Sequence, residues 1–306
     1  MNNVFVNPET RKIRAGWRIA NFLIVFIALS VITMFTVRAI LGSLPKTSRL
    51  QFGIVAFAST VAVWLVAKFI DKRPLPSFGL KFDRYALLDV LSGIFNSALV
   101  MAAMYFLLEA LGLIEFQEFT WWNNPENIAI GIGPIAWSSI LAVFLTLTAV
   151  AWWEELVFRG YLFQNLVEGL NIWWAILINS VVFGFIHHMN PNATLLSSLI
   201  IVAITPQLIY AYLKTGQLWL PIGLHLGWNF FQASVFGFAA SGQKDPSLIV
   251  QTPVGPDWLS GGAFGAEGSV LILPILFASF FLIHFWVNKT RHPDQMLLDI
   301  AVHGDK

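Results

Sequence analysis

Eight mainly apolar segments divide the chain and constrain its fold more than any other feature of the sequence. They span residues 19–41, 52–70, 86–113, 128–157, 172–188, 193–213, 218–240 and 270–287. Each is close to the roughly 20 apolar residues that a helix needs to cross a bilayer, and the fourth is expected to continue toward Leu166. The sequence therefore predicts an all-α polytopic membrane protein, a bundle of about eight transmembrane helices forming one domain over residues 1–306.

The overall composition supports this fold class and excludes several kinds of chemistry. Hydrophobic residues make up 57% of the chain and charged residues 11%, and the mean hydropathy is +0.70, far too apolar for a soluble domain. Because the sequence has no cysteine, it cannot use a disulfide, a thiolate metal site or a cysteine nucleophile. Any metal would need histidine and carboxylate ligands. The basic residues are scattered over short connections, so nucleic acid is not an expected partner.

The distribution of Lys and Arg predicts the orientation in the lipid bilayer. Basic residues are enriched in cytoplasmic connections, and here they concentrate in both tails and in the second and sixth connections. The connection over residues 115–127 contains none. We therefore expect an integral, multi-pass protein with both termini cytoplasmic. The membrane itself is expected to be a bacterial inner membrane. The first apolar segment lacks a small-residue cleavage site and is interpreted as an anchor, not as a signal peptide.

Ionisable residues interrupt the apolar segments at three places. Glu154, Glu155 and Arg159 lie in the fourth segment, His187 lies in the fifth, and His225 with Asn229 lies in the seventh. Such residues are costly inside a membrane and usually mark a functional site. At a rise of about 1.5 Å per residue, all three groups fall within about a helical turn of the bilayer midplane. A shared water-filled cavity inside the membrane is the simplest explanation.

The spacing of these residues suggests separate roles. Glu155 and Arg159 are four residues apart and can pair on one helix face, whereas Glu154 is rotated by about 100°. Glu154 is then free to act as a general base or acid, with His187 as the imidazole across the cavity.

His225 and Asn229 are also four residues apart, and their N–H groups are the kind of donors that an oxyanion requires. Together with Glu154 and His187 they predict water-mediated amide hydrolysis. Each residue also has a structural interpretation, such as a snorkelling Arg159 or an Asn229 that bridges helices. The combination favours catalysis.

These residues resemble the three motifs of a known family. The strings Glu154-Glu155-x-x-x-Arg159, Phe183-x-x-x-His187 and His225-x-x-x-Asn229 are similar, in order and spacing, to those of the CAAX prenyl endopeptidase and bacteriocin-processing family of intramembrane glutamic proteases, also called the ABI family. The resemblance places a protease-like core at residues 135–240.

The resemblance implies about eight transmembrane helices, a cavity open to the cytoplasm, and peptide hydrolysis without a covalent acyl-enzyme. By this resemblance Glu154 and His187 would activate water, and His225 and Asn229 would stabilise the oxyanion. Glu155 and Arg159 would hold the first motif in place. The substrate would be a membrane-associated peptide or protein. Eukaryotic members trim prenylated C-terminal tails, while bacterial members are linked to bacteriocin processing, self-immunity or membrane anchoring.

Other functions stay open at this point. A zinc-dependent membrane protease is the nearest alternative, since two histidines and a glutamate can bind zinc, although the H-E-x-x-H signature is absent. No cofactor is otherwise expected. A proton-coupled transporter and a non-catalytic immunity or scaffold protein are further alternatives. Two structural expectations complete the analysis: Pro206 should kink or break the sixth helix, and residues 241–268 should form an external loop without regular structure.

Overall fold

The computed structural model describes residues 4–8, 11–42, 49–120 and 135–290, and in these ranges the protein is a helical bundle with one small sheet. The elements are α1 (Ala15–Leu41), α2 (Leu50–Val66, extended by a π-helix Ala67–Asp71), α3 (Ala86–Ala110), β1 (Ile114–Phe119), α4 (α-helix Ile135–Glu155, π-helix Leu156–Leu162 and α-helix Phe163–Gly169), α5 (Ile172–Ile186, followed by the 3-10 turn His187–Met189), α6 (Leu195–Thr215), α7 (Trp219–Phe230, extended by a π-helix Phe231–Val235), β2 (Ile249–Pro253), α8 (Asp257–Ser260) and α9 (Ile272–Thr290).

The number of membrane-spanning helices nearly matches the prediction. Within the described ranges, seven helices are long and apolar enough to cross a membrane, which confirms an all-α polytopic membrane protein. The remaining predicted segment, 218–240, forms α7. This helix is shorter because its α-helical part has only 12 residues and ends in five residues of π-helix. The start of the fourth predicted segment, before residue 135, lies outside the described residues.

The helices have two chemically different ends. The end that holds the starts of α1, α3, α5 and α7 is called the basic end, and the other end is called the opposite end. The described basic residues near the basic end are Arg11, Lys12, Arg14, Arg18, Lys68, Lys72, Arg73, Lys81, Arg84, Lys214 and Lys289. The described basic residues near the opposite end are Arg38, Arg49 and Lys244.

Close packing between α3 and α7 fixes α7 at the centre of the bundle. A Cβ atom added at Gly223 would lie 2.3 Å from the carbonyl oxygen of Val90, and one at Gly227 would lie 2.7 Å from the Cα of Ile94. Small residues four apart let two helix backbones approach this closely inside a membrane. The glycines occupy the face of α7 toward α3, and α7 also packs against α4. His225 on α7 is thereby brought to the glutamates of α4.

Local capping fixes the two helices on either side of His187. Asn171 is the N-cap residue of α5, and its side chain accepts hydrogen bonds from the backbone N–H groups of Trp173 and Trp174. Thr194 begins α6 and forms a reciprocal capping box with Ser197. These bonds satisfy backbone donors that a helix leaves unpaired at its start.

One expectation about regular structure is wrong, and the break expected at Pro206 is not found. Residues 241–268 contain β2 and α8, and β2 pairs antiparallel with β1. The predicted loop is therefore partly ordered by a partner more than 100 residues away in the chain, which sequence-local signals do not reveal. Pro206 lies inside α6 without ending it, and so it opens no break in that helix.

Candidate active site

The first motif lies at a change of helix type in α4. Glu154 and Glu155 end the α-helical part, and the π-helix Leu156–Leu162 begins directly after them and contains Arg159. Single turns of π-helix are rare and occur often at functional sites. Glu155 and Arg159 are completely buried, and Glu154 is 8% exposed. Three ionisable side chains are therefore removed from lipid by the surrounding helices.

Glu155 is held by two cationic or hydrogen-bonding partners. Its Oε1 accepts from Nη1 of Arg159 at 3.0 Å, and the same oxygen lies 2.8 Å from Nδ1 of His225. The guanidinium of Arg159 also stacks on the Phe183 ring at 4.1 Å. This network joins α4, α5 and α7 through one carboxylate. Its geometry shows the predicted pairing of Glu155 with Arg159.

Glu154 lies close to both histidines of the site. Its Oε2 lies 3.6 Å from Nε2 of His225 and 4.0 Å from Nε2 of His187. Both distances are longer than a direct hydrogen bond, although they are short for the separation of two charged groups. Oε2 of Glu154 is buried and has no hydrogen-bond partner among the described residues. The structure thus brings the glutamate and both predicted histidines to one point.

The hydrogen bonds of the histidines assign their tautomers. Nδ1 of His187 lies 2.8 Å from the carbonyl oxygen of Phe183, and a carbonyl oxygen can only accept, so this nitrogen carries a proton. Nδ1 of His225 likewise donates to the carboxylate of Glu155. In both rings Nε2 is the nitrogen directed at Glu154, and it is basic when the ring is neutral.

An open cleft leads to this cluster. It has a volume of about 550 Å³, and Glu154, His187, His225 and Asn229 lie on its wall. A second, smaller cavity of about 50 Å³ touches His187, His225 and Asn229 from the other side. The cleft satisfies the expectation of an intramembrane cavity, and its size is sufficient for a short peptide segment.

Asn229 lies one helical turn beyond His225 on α7. Its side chain lines both cavities and makes no hydrogen bond with another described residue. An amide that is largely buried and directed into a cleft has donors available for a bound molecule. The structure therefore places His225 and Asn229 side by side, as their spacing predicts.

Sequence reasoning missed one acidic residue near the site. Glu267 is 6% exposed and lines the smaller cavity. Its Oε1 accepts from Nε1 of Trp228 at 2.8 Å, and its Oε2 accepts from the backbone N–H and hydroxyl of Ser241. It thus ties the 241–268 segment to α7 between His225 and Asn229. The only available signal was a lone glutamate in a Gly-rich segment.

The two other histidines in the described part of the chain, His188 and His284, lie away from the cluster. Nδ1 of His188 contacts the hydroxyl of Ser198 at 3.0 Å, and His284 contacts Tyr210 and Asn288 on the exposed side of α9. Within the described ranges, no group of three or more His, Cys, Asp or Glu residues is arranged to hold a metal ion.

The fold and this site define a class: a polytopic membrane protein with a buried glutamate, histidine and asparagine cluster at the wall of a cleft. Residues 136–231 match the model of the family described as type II CAAX prenyl endopeptidase Rce1-like. This match contains all six residues of the cluster. A relative described as "Putative membrane peptidase YdiL", from Bacillus subtilis (strain 168), is 26% identical over 181 residues, which cover 59% of this chain and 69% of the relative.

These matches support assignment of the chain to the CAAX prenyl endopeptidase and bacteriocin-processing family, and they support a membrane protease. No solved structure gives a significant match.

Proposed function

We propose that this protein is an intramembrane endopeptidase that hydrolyses peptide bonds of membrane-associated substrates with a glutamate-activated water. The observation that supports this most directly is the convergence of Oε2 of Glu154 with Nε2 of both His187 and His225 at the wall of a cleft. We further propose residues 135–240 as the catalytic core of a single transmembrane domain.

Glu154 and His187 form the base. A gap of 4.0 Å between Oε2 of Glu154 and Nε2 of His187 is wide for a direct hydrogen bond but allows one water to contact both atoms. The carboxylate and the basic nitrogen can then remove a proton as the water attacks the carbonyl carbon. The bond from Nδ1 of His187 to Phe183 fixes the ring in the required tautomer.

His225 and Asn229 stabilise the oxyanion. Because Nδ1 of His225 donates to Glu155, its Nε2 can donate to an oxyanion only when the ring carries both protons. Glu154 lies beside the ring and supplies the compensating negative charge, because Glu155 is already paired with Arg159. The amide of Asn229 supplies a second donor. Glu155 and Arg159 act as positioning residues, since they touch His225 and α5 and do not line the cleft.

The orientation also belongs to this proposal. The basic end carries most of the described Lys and Arg side chains, and such residues favour the cytoplasmic side. The first described helix starts at that end and the last one finishes there. We therefore propose cytoplasmic termini in a bacterial inner membrane.

Cleavage of membrane-anchored reporters tests the reaction. Purified protein is incubated with prenylated and unmodified reporters, with and without a strong chelator. Glu154→Gln removes the base with little change in shape and should lower the cleavage rate by about 10²–10⁴-fold. Glu109→Gln, an exposed glutamate at the end of α3, is the matched control and should cleave as the wild type does.

Two results would contradict the proposal. Full activity of Glu154→Gln would show that this carboxylate is not the base. Loss of cleavage with the chelator, restored by zinc, would favour a metal-dependent reaction.

A further inference from the structure

The residues that line the cleft reach only one end of the bundle. Its outer part is formed by residues that lie at the opposite end, including Gln51 at the start of α2, Asn190 after α5, and Gln243 and Lys244 after α7. The residues lining the cleft include none from the basic end. From the opposite end, the cleft extends inward to Glu154.

Side-chain bonds link the helices at the basic end, beneath the site. Nη2 of Arg73 donates to Oε1 of Gln164 at 2.6 Å, and Nε2 of Gln164 donates to the hydroxyl of Tyr212. Arg73 also pairs with Glu168 at 3.0 Å. These bonds tie α4 to α6 and to the α2–α3 connection. The Arg73 side chain is 16% exposed and Gln164 is buried, so these bonds lie between the catalytic cluster and the basic end, from which no residue lines the cleft.

The charge of the two ends determines which compartment each end faces. Lys and Arg near short connections retain a helix end in the cytoplasm. The described connections are short, and most of the described Lys and Arg residues lie at the basic end. Among the described residues, the opposite end carries only Arg38, Arg49 and Lys244. The basic end is therefore the cytoplasmic one.

We infer that the catalytic cleft opens to the extracytoplasmic face, and that its substrates are membrane-anchored polypeptides whose scissile segment lies on that face. The substrate part of this inference rests on the proposed function, while the direction of opening does not. The resemblance to CAAX proteases implies a cavity open to the cytoplasm. The charge pattern and the cleft together point to the other side of the membrane, where a prenylated cytoplasmic tail would not reach Glu154.

Single-cysteine labelling tests the direction of opening without any enzymatic assay. The natural chain has no cysteine, so each introduced cysteine is the only thiol. Gln243→Cys places a thiol at the cleft, and Leu111→Cys places an exposed one at the opposite end outside the cleft. Phe82→Cys places one at the basic end, where Phe82 is 81% exposed.

The three variants are treated with a membrane-impermeant maleimide in intact and permeabilised cells. We expect Gln243→Cys and Leu111→Cys to be modified in intact cells and Phe82→Cys only after permeabilisation. Modification of Gln243→Cys only after permeabilisation would overturn the inference. So would a Gln243→Cys that stays unmodified in both conditions, because the cleft would then be closed to water.

A pair of reporters tests the substrate side. The same scissile segment is attached to the outer or the inner end of one membrane anchor, and cleavage is compared in cells that express the wild type or Glu154→Gln. We expect wild-type cleavage of the outer reporter alone. Cleavage of the inner reporter alone would refute the inference. Failure to cleave either reporter, with the expected labelling, would count against the proposed protease and leave the direction of opening established.

Discussion

The buried pair of Glu155 and Arg159 permits a quantitative test of how the site is held together. Both side chains are 0% exposed, and Nη1 of Arg159 lies 3.0 Å from Oε1 of Glu155. Replacing Arg159 with methionine keeps a long side chain but leaves the carboxylate of Glu155 buried without its cation. Breaking a buried pair from one side in this way costs about 3–5 kcal/mol. The lost stacking on Phe183 adds about 0.5–2 kcal/mol.

A double variant separates the charge effect from the loss of packing. Glu155→Gln alone leaves the guanidinium of Arg159 buried without its partner, so we expect a similar cost of about 3–5 kcal/mol. The combined Arg159→Met and Glu155→Gln variant removes both charges and should lie within about 2 kcal/mol of the wild type. The two substitutions should therefore show a coupling energy of at least about 4 kcal/mol in a double-mutant cycle.

The assay is reversible unfolding in mixed detergent micelles, followed by the fluorescence of the 13 tryptophans. Arg49→Met is the matched control, because Arg49 also pairs with a carboxylate but its side chain is 32% exposed, and it should cost less than about 1 kcal/mol. The reasoning would be refuted if Arg159→Met were as mild as this control, or if the two substitutions were additive.

Three further predictions concern the walls of the site. Asn229→Ala should lower kcat by about 10²–10³-fold while the unfolding midpoint changes little, as expected for an oxyanion donor; an unchanged kcat would exclude that role. Glu267→Gln weakens the bonds to Trp228 and to the following segment, and should cost about 1–3 kcal/mol in the same unfolding assay, so a neutral result would contradict the anchoring role. Burial raises the pKa of Asp245 although Arg49 opposes the shift; the stabilising contribution of protonated Asp245 is therefore lost as pH rises through its folded-state pKa. Asp245→Asn should then match the wild type in acid and be up to about 1 kcal/mol more stable at neutral pH, and a variant that is less stable than the wild type at neutral pH would contradict this.

Much of the helical architecture could be predicted from the sequence because lipid imposes a strong rule on it. Backbone groups without water must bond within their own segment, so long apolar segments become helices. The extension of α4 past residue 157 agreed with the expected continuation toward Leu166. The shortness of α7 could not be read from hydropathy, because residues 236–240 are as apolar as the helix itself but leave it after the π-helical turn.

The composition of the site was predictable, whereas its supporting contacts were not. Residue spacing placed Glu155 and Arg159 on one face and Glu154 on another, since this follows from the geometry of one helix. The bond from His225 to Glu155 depends on how α7 lies against α3, where Gly223 permits backbone contact. No local pattern reports that packing. The pairing of β1 with β2 was missed for the same reason, because it is a long-range contact.

The charges of the cluster are compatible with an apolar bundle and with the proposed hydrolysis. Arg159 balances Glu155, and both are sealed from lipid and from the cleft. Glu154 has no fixed cation, because its neighbours are two imidazoles that are charged only when protonated. In the proposed reaction one added proton on an imidazole balances Glu154, since an uncompensated charge at this depth is costly. The proposed hydrolysis moves a proton in two steps, first from water to the base and then to the leaving amine. A site that keeps it within about 4 Å of Glu154 can complete both steps without moving net charge through the apolar interior.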